Sequence, residues 1–283
     1  MFLFALVRRW FGSTVTEVEA NARRFRDSEA GRRADAKTIW VLITAAVALG
    51  IQNYAGHPLY VQPLVGFAAT ALGGVEGEAA ARAVLQRWGH DKISELLWWV
   101  GVAVACYVVI PCAVVKLVLR ERLRDYGVKL QGFTAGWPIY LVFVAFMVPL
   151  VWVFSAERHF QATYPFYRVA SRAEVTADLW RWEIAYACQF VALEFFFRGF
   201  LLHGLKHRFG VYAVFVMTVP YCMIHFQKPL PECFASIVAG VVLGFMSLKT
   251  RSIWLGAALH ISVAWGMDTC SLWRKGLFTQ FIA

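Results

Sequence analysis

Seven apolar runs constrain the fold of this chain more than any other feature of its sequence. A helix that crosses a bilayer needs about 20 consecutive, mostly apolar residues. The runs that approach this length lie at 38–56, 95–119, 136–154, 182–205, 211–226, 234–248 and 253–268. In lipid each backbone polar group must be satisfied within its own segment, so these runs predict helices and not isolated strands.

The composition supports lipid as the solvent. Of 283 residues, 59% are hydrophobic and 16% are charged, whereas soluble domains have about 45–50% and about 25%. We therefore predict an all-α polytopic membrane bundle of about seven transmembrane helices. The stretch 59–74 is ambiguous, since it fits an eighth span, a re-entrant hairpin or a surface helix. We divide the chain into a basic N-terminal segment, 1–37, and a membrane domain, 38–283.

The distribution of Lys and Arg predicts the orientation. Eight of them precede residue 38, and five more lie in 116–130. With seven spans both groups fall on the same side, which should be the cytoplasm. We expect a plasma (cell inner) membrane protein with a cytoplasmic N-terminus. The net charge of +10 fits anionic lipid headgroups, and because no nucleic-acid-binding motif accompanies it, we expect no nucleic-acid partner.

Ionisable residues inside apolar runs are costly and therefore mark candidate functional positions. Glu194 and Arg198 are four residues apart, so they share a helix face and can pair. His225 ends one apolar run, and His260 lies in the middle of the last. These side chains are expected to meet in one polar pocket.

Three kinds of chemistry are open to such a pocket. A carboxylate and one imidazole can take a proton from water while the other imidazole stabilises an oxyanion. Two histidines and one glutamate can also bind a metal ion. A proton relay through the membrane is the third alternative.

The order of these residues resembles the CAAX protease and bacteriocin-processing (CPBP, or ABI) family of intramembrane glutamic proteases, which includes the type II CAAX prenyl endopeptidases. The family pattern is EExxxR, then FxxxH, then HxxxN. The matching residues here are Glu194 and Arg198 in LEFFFRG, Tyr221 and His225 in YCMIH, and His260 in HISVA. The resemblance covers about 180–270.

The resemblance implies an intramembrane endopeptidase that cleaves a hydrophobic or membrane-anchored peptide. It implies that Glu194 and His225 activate water, that His260 stabilises the oxyanion and that Arg198 holds Glu194. We expect no cofactor and no metal ion, and we expect the lipid bilayer as the surrounding partner.

Two positions depart from the family pattern. Leu193 stands where the family has its first glutamate, and Ala264 stands where it has asparagine. Two acidic residues near these gaps, Glu232 and Asp268, are secondary candidates for the site. The departures favour an alternative, a catalytically inactive scaffold that acts as an immunity factor or as a subunit of a membrane complex with a membrane-protein partner. A proton-coupled transporter ranks last because the sequence has no visible inverted repeat.

Overall fold

All regular structure in the described part of the chain is helical. The computed structural model describes residues 2–32, 35–57, 92–130, 136–169 and 178–277, together with 63, 65–74, 76, 77, 79, 80 and 83. The main helices in these ranges are α1 (Phe2–Asp27), α2 (Ala36–Ala55), α3 (Lys92–Val118), α4 (Trp137–Phe154), α5 (Asp178–Phe209), α6 (Tyr212–Met223), α7 (Leu230–Thr250) and α8 (Trp254–Arg274). Short helices occur at Glu29–Arg32, Val65–Gly74, Leu123–Tyr126 and Arg158–Thr163.

The predicted all-α membrane bundle is confirmed, and a helix lies at each of the seven predicted spans. Five of the described helices, namely α2, α3, α4, α5 and α7, are long and apolar enough to cross a membrane. Helix α6 has only 12 residues, because the chain turns after Met223 through short-range backbone hydrogen bonds. Helix α8 has 21 residues and carries polar groups within its length.

The ambiguous stretch 59–74 is described only in part. Residues 59–62 and 64 lie outside the described residues, and Val65–Gly74 forms a short apolar helix. Ten residues of α-helix are about 15 Å long, which is about half the thickness of the hydrocarbon core. The described part of this stretch is thus a short apolar helix, and its assignment as a span, a re-entrant hairpin or a surface helix stays a prediction.

Helix α5 is the centre of the bundle. In its most apolar window 67% of the residues are buried, compared with 6% in α4, which lies at the periphery. Its phenylalanine-rich middle, with Phe196, Phe197 and Phe200 fully buried, belongs to the largest apolar core together with Met217 of α6. Other parts of the protein surround these side chains, so the outer helices provide the contacts with lipid.

Helices α5 and α8 pack against each other in an antiparallel arrangement. The C-terminal half of α5 meets the first half of α8, where Glu194 contacts His260. The N-terminal end of α5 meets the end of α8, where Trp182 contacts Asp268. We call this contact the α5–α8 interface, and it positions the polar residues described below.

The N-terminal helix α1 is docked on one end of the bundle. Phe11 packs against Phe245 of α7. Arg26 donates to the backbone oxygen of Arg208 at 3.1 Å, at the end of α5. The basic N-terminal segment is therefore helical and attached to the membrane domain.

Candidate active site

A buried carboxylate lies at the centre of the candidate site. Glu194 is 0% exposed and ends the regular α-helical part of α5. Gly256 of α8 faces it so closely that a Cβ atom there would lie 2.2 Å from Glu194 Oε2. Only a glycine leaves room for the carboxylate between the two helices.

Glu194 contacts one cation and one imidazole. Its Oε1 lies 2.9 Å from Nη1 of Arg198 and 2.9 Å from Nδ1 of His260. The distances are those of ion contacts, but the angles are not those of hydrogen bonds. Within the described residues, both oxygens of Glu194 and the guanidinium nitrogens of Arg198 therefore have no aligned hydrogen-bond partner. Burying such groups is costly, and the usual reason to retain them is function.

His260 links Glu194 to a tyrosine. Its Nε2 lies 2.8 Å from the hydroxyl of Tyr221, and its ring stacks on Phe190 with an interplanar angle of 4°. The charges of Glu194 and Arg198 cancel, so a neutral imidazole leaves this buried site without net charge. In that state Nδ1–H faces Glu194, and Nε2 accepts a hydrogen bond from the Tyr221 hydroxyl.

Arg198 also binds the face of Tyr221. The guanidinium carbon lies 4.0 Å from the centre of the Tyr221 ring. A guanidinium over an aromatic face is favourable, particularly where water is excluded. Arg198 therefore contacts both Glu194 and Tyr221, the first and last residues in the series of contacts that passes through His260.

His225 lies beside this group and contacts Tyr221. Its Nδ1 is 2.8 Å from the backbone oxygen of Tyr221, and its ring centroid is 4.9 Å from the Tyr221 ring. Because a carbonyl can only accept, Nδ1 carries the hydrogen and Nε2 keeps a lone pair. The imidazole in contact with Glu194 is that of His260, and the division of roles between the two histidines stays a prediction.

The two departures from the family pattern are buried apolar residues. Leu193 is packed in the main core, and Ala264 lies in a smaller cluster with Trp182 and Tyr186. Neighbouring positions of an α-helix point about 100° apart, so Leu193 faces away from the carboxylate of Glu194. Neither residue contributes a polar atom to the site.

The secondary candidate Glu232 belongs to a second polar cluster. Its Oε2 accepts a hydrogen bond of 2.6 Å from the hydroxyl of Tyr164, and Nζ of Lys228 lies 3.9 Å from Oε1. The same ammonium group lies 3.9 Å from the centre of the Phe166 ring. Burial lowers the pKa of Lys228, while the carboxylates of Glu232 and Asp268 partly offset that effect.

The secondary candidate Asp268 lies at the same end of the α5–α8 interface. It is 1% exposed, and its Oδ2 accepts a hydrogen bond of 3.3 Å from Nε1 of Trp182. The residue next to Trp182, Glu183, is 8% exposed and was not among the sequence-predicted candidates. Glu183 is an acidic residue inside the apolar sequence WEIAYACQF, so the rule that identified Glu194 was sufficient to find it.

Among the described residues, no group of three or more His, Cys, Asp or Glu side chains has the geometry to hold a metal ion.

Comparison with known proteins identifies the part of the chain that contains the site. Residues 175–266 match the family of type II CAAX prenyl endopeptidase Rce1-like proteins. Neither the curated proteins nor the solved structures contain a match. The matched segment includes Glu194, Arg198, His225 and His260, and it ends two residues before Asp268. The resemblance to the CAAX protease family that the sequence motifs predicted is confirmed over these residues.

Proposed function

We propose that this protein is an intramembrane endopeptidase that depends on Glu194. The observation that carries the proposal is the contact of the fully buried Glu194 with both Arg198 and His260. A carboxylate that orients an imidazole is the usual device for making that imidazole a general base. The family match over 175–266 supports peptide hydrolysis as the reaction.

The proposed reaction uses the chain of contacts as a proton path. The oxygen of a water molecule bonds to the scissile carbonyl carbon, and its proton passes through the Tyr221 hydroxyl to Nε2 of His260. Glu194 stabilises the resulting imidazolium, and Arg198 pairs with Glu194. When the carbon–nitrogen bond breaks, the same proton is delivered to the leaving amine. His225, with a free lone pair on Nε2, is a second proton acceptor beside this path.

The proposed substrate is a peptide with a hydrophobic or membrane-anchored segment. The site lies between helices of an apolar bundle, so a substrate reaches it from the bilayer and not from bulk water. We further propose that the protein resides in the plasma membrane with its N-terminus in the cytoplasm. The lipid bilayer and the peptide are its expected partners.

The direct test is the variant Glu194→Gln. It keeps the shape of the side chain but removes the negative charge that orients and stabilises His260. Cleavage of reporter peptides with C-terminal apolar tails, measured in proteoliposomes, should fall by about 10²-fold or more. The matched control is Glu17→Gln, which removes a glutamate from an exposed ion pair with Arg251 and should leave cleavage unchanged.

A specific observation favours a second candidate, a catalytically inactive scaffold. Leu193 and Ala264, at positions that are polar in the family pattern, are both buried among apolar side chains. If Glu194→Gln inserts, folds and retains full biological function, the peptidase proposal is wrong and the scaffold replaces it.

A further inference from the structure

A cavity with two cationic side chains lies at one end of the bundle. It has a volume of about 280 Å³, and Arg168 and Lys275 supply its charged groups. Val169, Leu272 and Leu277 give it an apolar side, and none of the residues that line it is acidic. The cavity therefore suits a ligand that is anionic at one end and apolar at the other.

Each cation is oriented by one neutral backbone group. Nζ of Lys275 donates to the backbone oxygen of Tyr164 at 2.7 Å, and Nη2 of Arg168 donates to the backbone oxygen of Ala162 at 3.4 Å. These contacts use one N–H group of each side chain, whereas an ammonium group has three and a guanidinium group has five. The carbonyl groups thus hold the cations at the cavity without neutralising their charge.

The two cations leave the cavity positively charged. Burial lowers the pKa of Lys275, the carboxyl group of Asp268 partly offsets this effect, and the positive charge of Arg168 lowers that pKa further. Asp268 is 1% exposed and can balance no more than one of the two cations. Like charges that are held close together repel, and an anion bound beside both of them removes that cost.

The cavity lies where two membrane helices end. Helix α4 ends at Phe154 and α8 ends at Arg274, and Lys275 and Leu277 of the cavity directly follow α8. The guanidinium carbon of Arg274 lies 4.3 Å from the centre of the Trp152 ring, and its Nη2 donates to the Trp152 backbone oxygen at 3.3 Å. Tryptophan and arginine at helix ends are typical of the membrane–water interface. We therefore expect the cavity at the level of the lipid headgroups.

An anionic phospholipid has the chemistry that this cavity fits. A phosphate group accepts charge-assisted hydrogen bonds from guanidinium and ammonium groups, and basic pockets between membrane helices bind lipid headgroups. The volume is close to the lower end of the range for small-molecule sites, roughly 300–1,000 Å³, so the cavity admits a headgroup but not a folded partner. A soluble anion would leave the apolar side of the cavity exposed to water.

We propose that this cavity is a binding site for an anionic phospholipid, whose phosphate contacts Arg168 and Lys275 and whose acyl chains begin against Leu272 and Leu277. The site is separate from the proposed peptidase site, since Leu272 is twelve residues after His260, or about 18 Å along α8. Because Lys275 also contacts the segment between α4 and α5, the bound lipid stabilises the docking of that segment on α8. Its test is therefore independent of cleavage.

The affinity test measures lipid binding to the full-length protein in neutral detergent by native mass spectrometry. Phosphatidylglycerol should bind more tightly than phosphatidylcholine with the same acyl chains. Each cation contributes about fivefold to the affinity for an anionic lipid, so Arg168→Gln/Lys275→Gln should bind phosphatidylglycerol about 25-fold more weakly. The matched control is Arg158→Gln, at an exposed position on the short helix that contributes Gln161 to the cavity, and it should bind as the native protein does. Equal affinity of the double variant and the native protein, or an equal loss in the control, would overturn the site.

The variant Lys275→Arg separates charge from packing. It keeps the cation and a donor for the backbone oxygen of Tyr164, so its affinity for phosphatidylglycerol should stay close to the native value. A loss of affinity in Lys275→Arg as large as that in Lys275→Gln would show that packing, and not charge, is responsible, and it would contradict a phosphate site.

A cross-linking test identifies the occupant. Phosphatidylglycerol with a photoreactive diazirine near the start of one acyl chain should label the native protein within residues 272–277, as located by peptide mass mapping. Unlabelled phosphatidylglycerol should displace the label, whereas millimolar glycerol phosphate and a peptide with a free C-terminal carboxylate should not. Displacement by glycerol phosphate would indicate a soluble phosphate ligand, and displacement by the peptide would indicate a peptide ligand. Either result, or labelling only outside residues 272–277, would overturn the lipid site.

Discussion

At the scale of single residues, the closest constraint on the site is the absence of a side chain at Gly256. A Cβ atom at this position would overlap Oε2 of Glu194, whose carboxylate has no free space to move into because it is fully buried. The glycine is therefore required by packing and not by backbone conformation. The fit between α5 and α8 and the geometry of Glu194 depend on each other.

The variant Gly256→Ala should disturb both the packing of α5 against α8 and the geometry of Glu194. Overpacking a closely fitted helix interface typically costs about 1–3 kcal/mol, so the thermal midpoint in detergent should fall and cleavage should fall with it. The matched control on the same helix is Gly266→Ala, where no atom lies within 4 Å of the added Cβ. Alanine is the better helix former there, so Gly266→Ala should be neutral or slightly stabilising. Equal losses in the two variants would contradict the close contact with Glu194.

At the scale of helices and loops, two structural devices position the site. The first is the π-helical segment Phe195–His203, which begins directly after Glu194. A π-helical turn holds more residues than an α-helical turn and often occurs at functional sites. Arg198 lies inside this segment, so the local change of winding sets the direction from which its guanidinium approaches Glu194.

The second device is an ionic junction at the C-terminal end of α5, where α2 and the loop after α3 contact that helix. Asp35 caps α2 by accepting from the backbone of Lys37, and Nε2 of His207 lies 2.5 Å from its Oδ2. Glu121 is 2.7 Å from Nζ of Lys37 and accepts from the Tyr126 hydroxyl at 2.5 Å. The junction ties three elements together, and its two carboxyl groups, those of Asp35 and Glu121, lie outside the membrane-spanning helices.

The pKa values of these two carboxyls predict how stability depends on pH. Burial raises the pKa of both carboxyl groups, but hydrogen bonds outweigh this effect. Asp35 accepts from Thr38 and His207, and Glu121 accepts from Lys37 and Tyr126. The pKa of each carboxyl group therefore lies below its usual range. A lowered pKa in the folded state stabilises the protein above the unfolded-state pKa of about 4, and that contribution is lost as the pH falls through the folded pKa.

We therefore expect the thermal midpoint in detergent to fall as the pH is lowered from about 5 to about 3. In Glu121→Gln the midpoint at neutral pH should be lower, and its further fall in acid should be smaller. Glu157→Gln, at an exposed position, is the control for removal of a surface carboxylate. An acid-induced fall in Glu121→Gln as large as that of the native protein would show that Glu121 does not contribute.

At the scale of the whole molecule, the bundle is arranged around one central helix. Helix α5 carries Glu183, Glu194 and Arg198, and it packs against α3, α6 and α8. Helix α4, which carries no charged residue, remains exposed at the outside. The polar residues are thus shielded by protein, and the apolar surface is left for lipid, as expected for a membrane protein.

The basic residues predict the orientation of the whole bundle. The eight Lys and Arg residues before residue 38 should keep the N-terminus in the cytoplasm. A topology reporter fused at residue 30, in full-length protein, should therefore give a cytoplasmic signal. A periplasmic signal from the same fusion would reverse the proposed orientation of every span.

The sequence by itself determined the fold class and the identity of most of the polar residues in the site. Apolar runs of about 20 residues can only be satisfied as helices in lipid, and Glu194, Arg198, His225 and His260 were identified because ionisable groups inside such runs are costly. The ends of the helices were predicted less accurately. The apolar run 211–226 continues past Met223, but α6 ends there because the backbone turns at that point.

Only the tertiary structure decided which of these residues contact one another. Sequence spacing pairs residues on one helix, such as Glu194 and Arg198, but contacts between helices depend on how each helix is rotated and how closely it packs. The contact of Glu194 with His260 and the contact of Asp268 with Trp182 both arise from the antiparallel packing of α5 and α8. That packing is possible because Gly256 has no side chain at the point where the carboxylate lies.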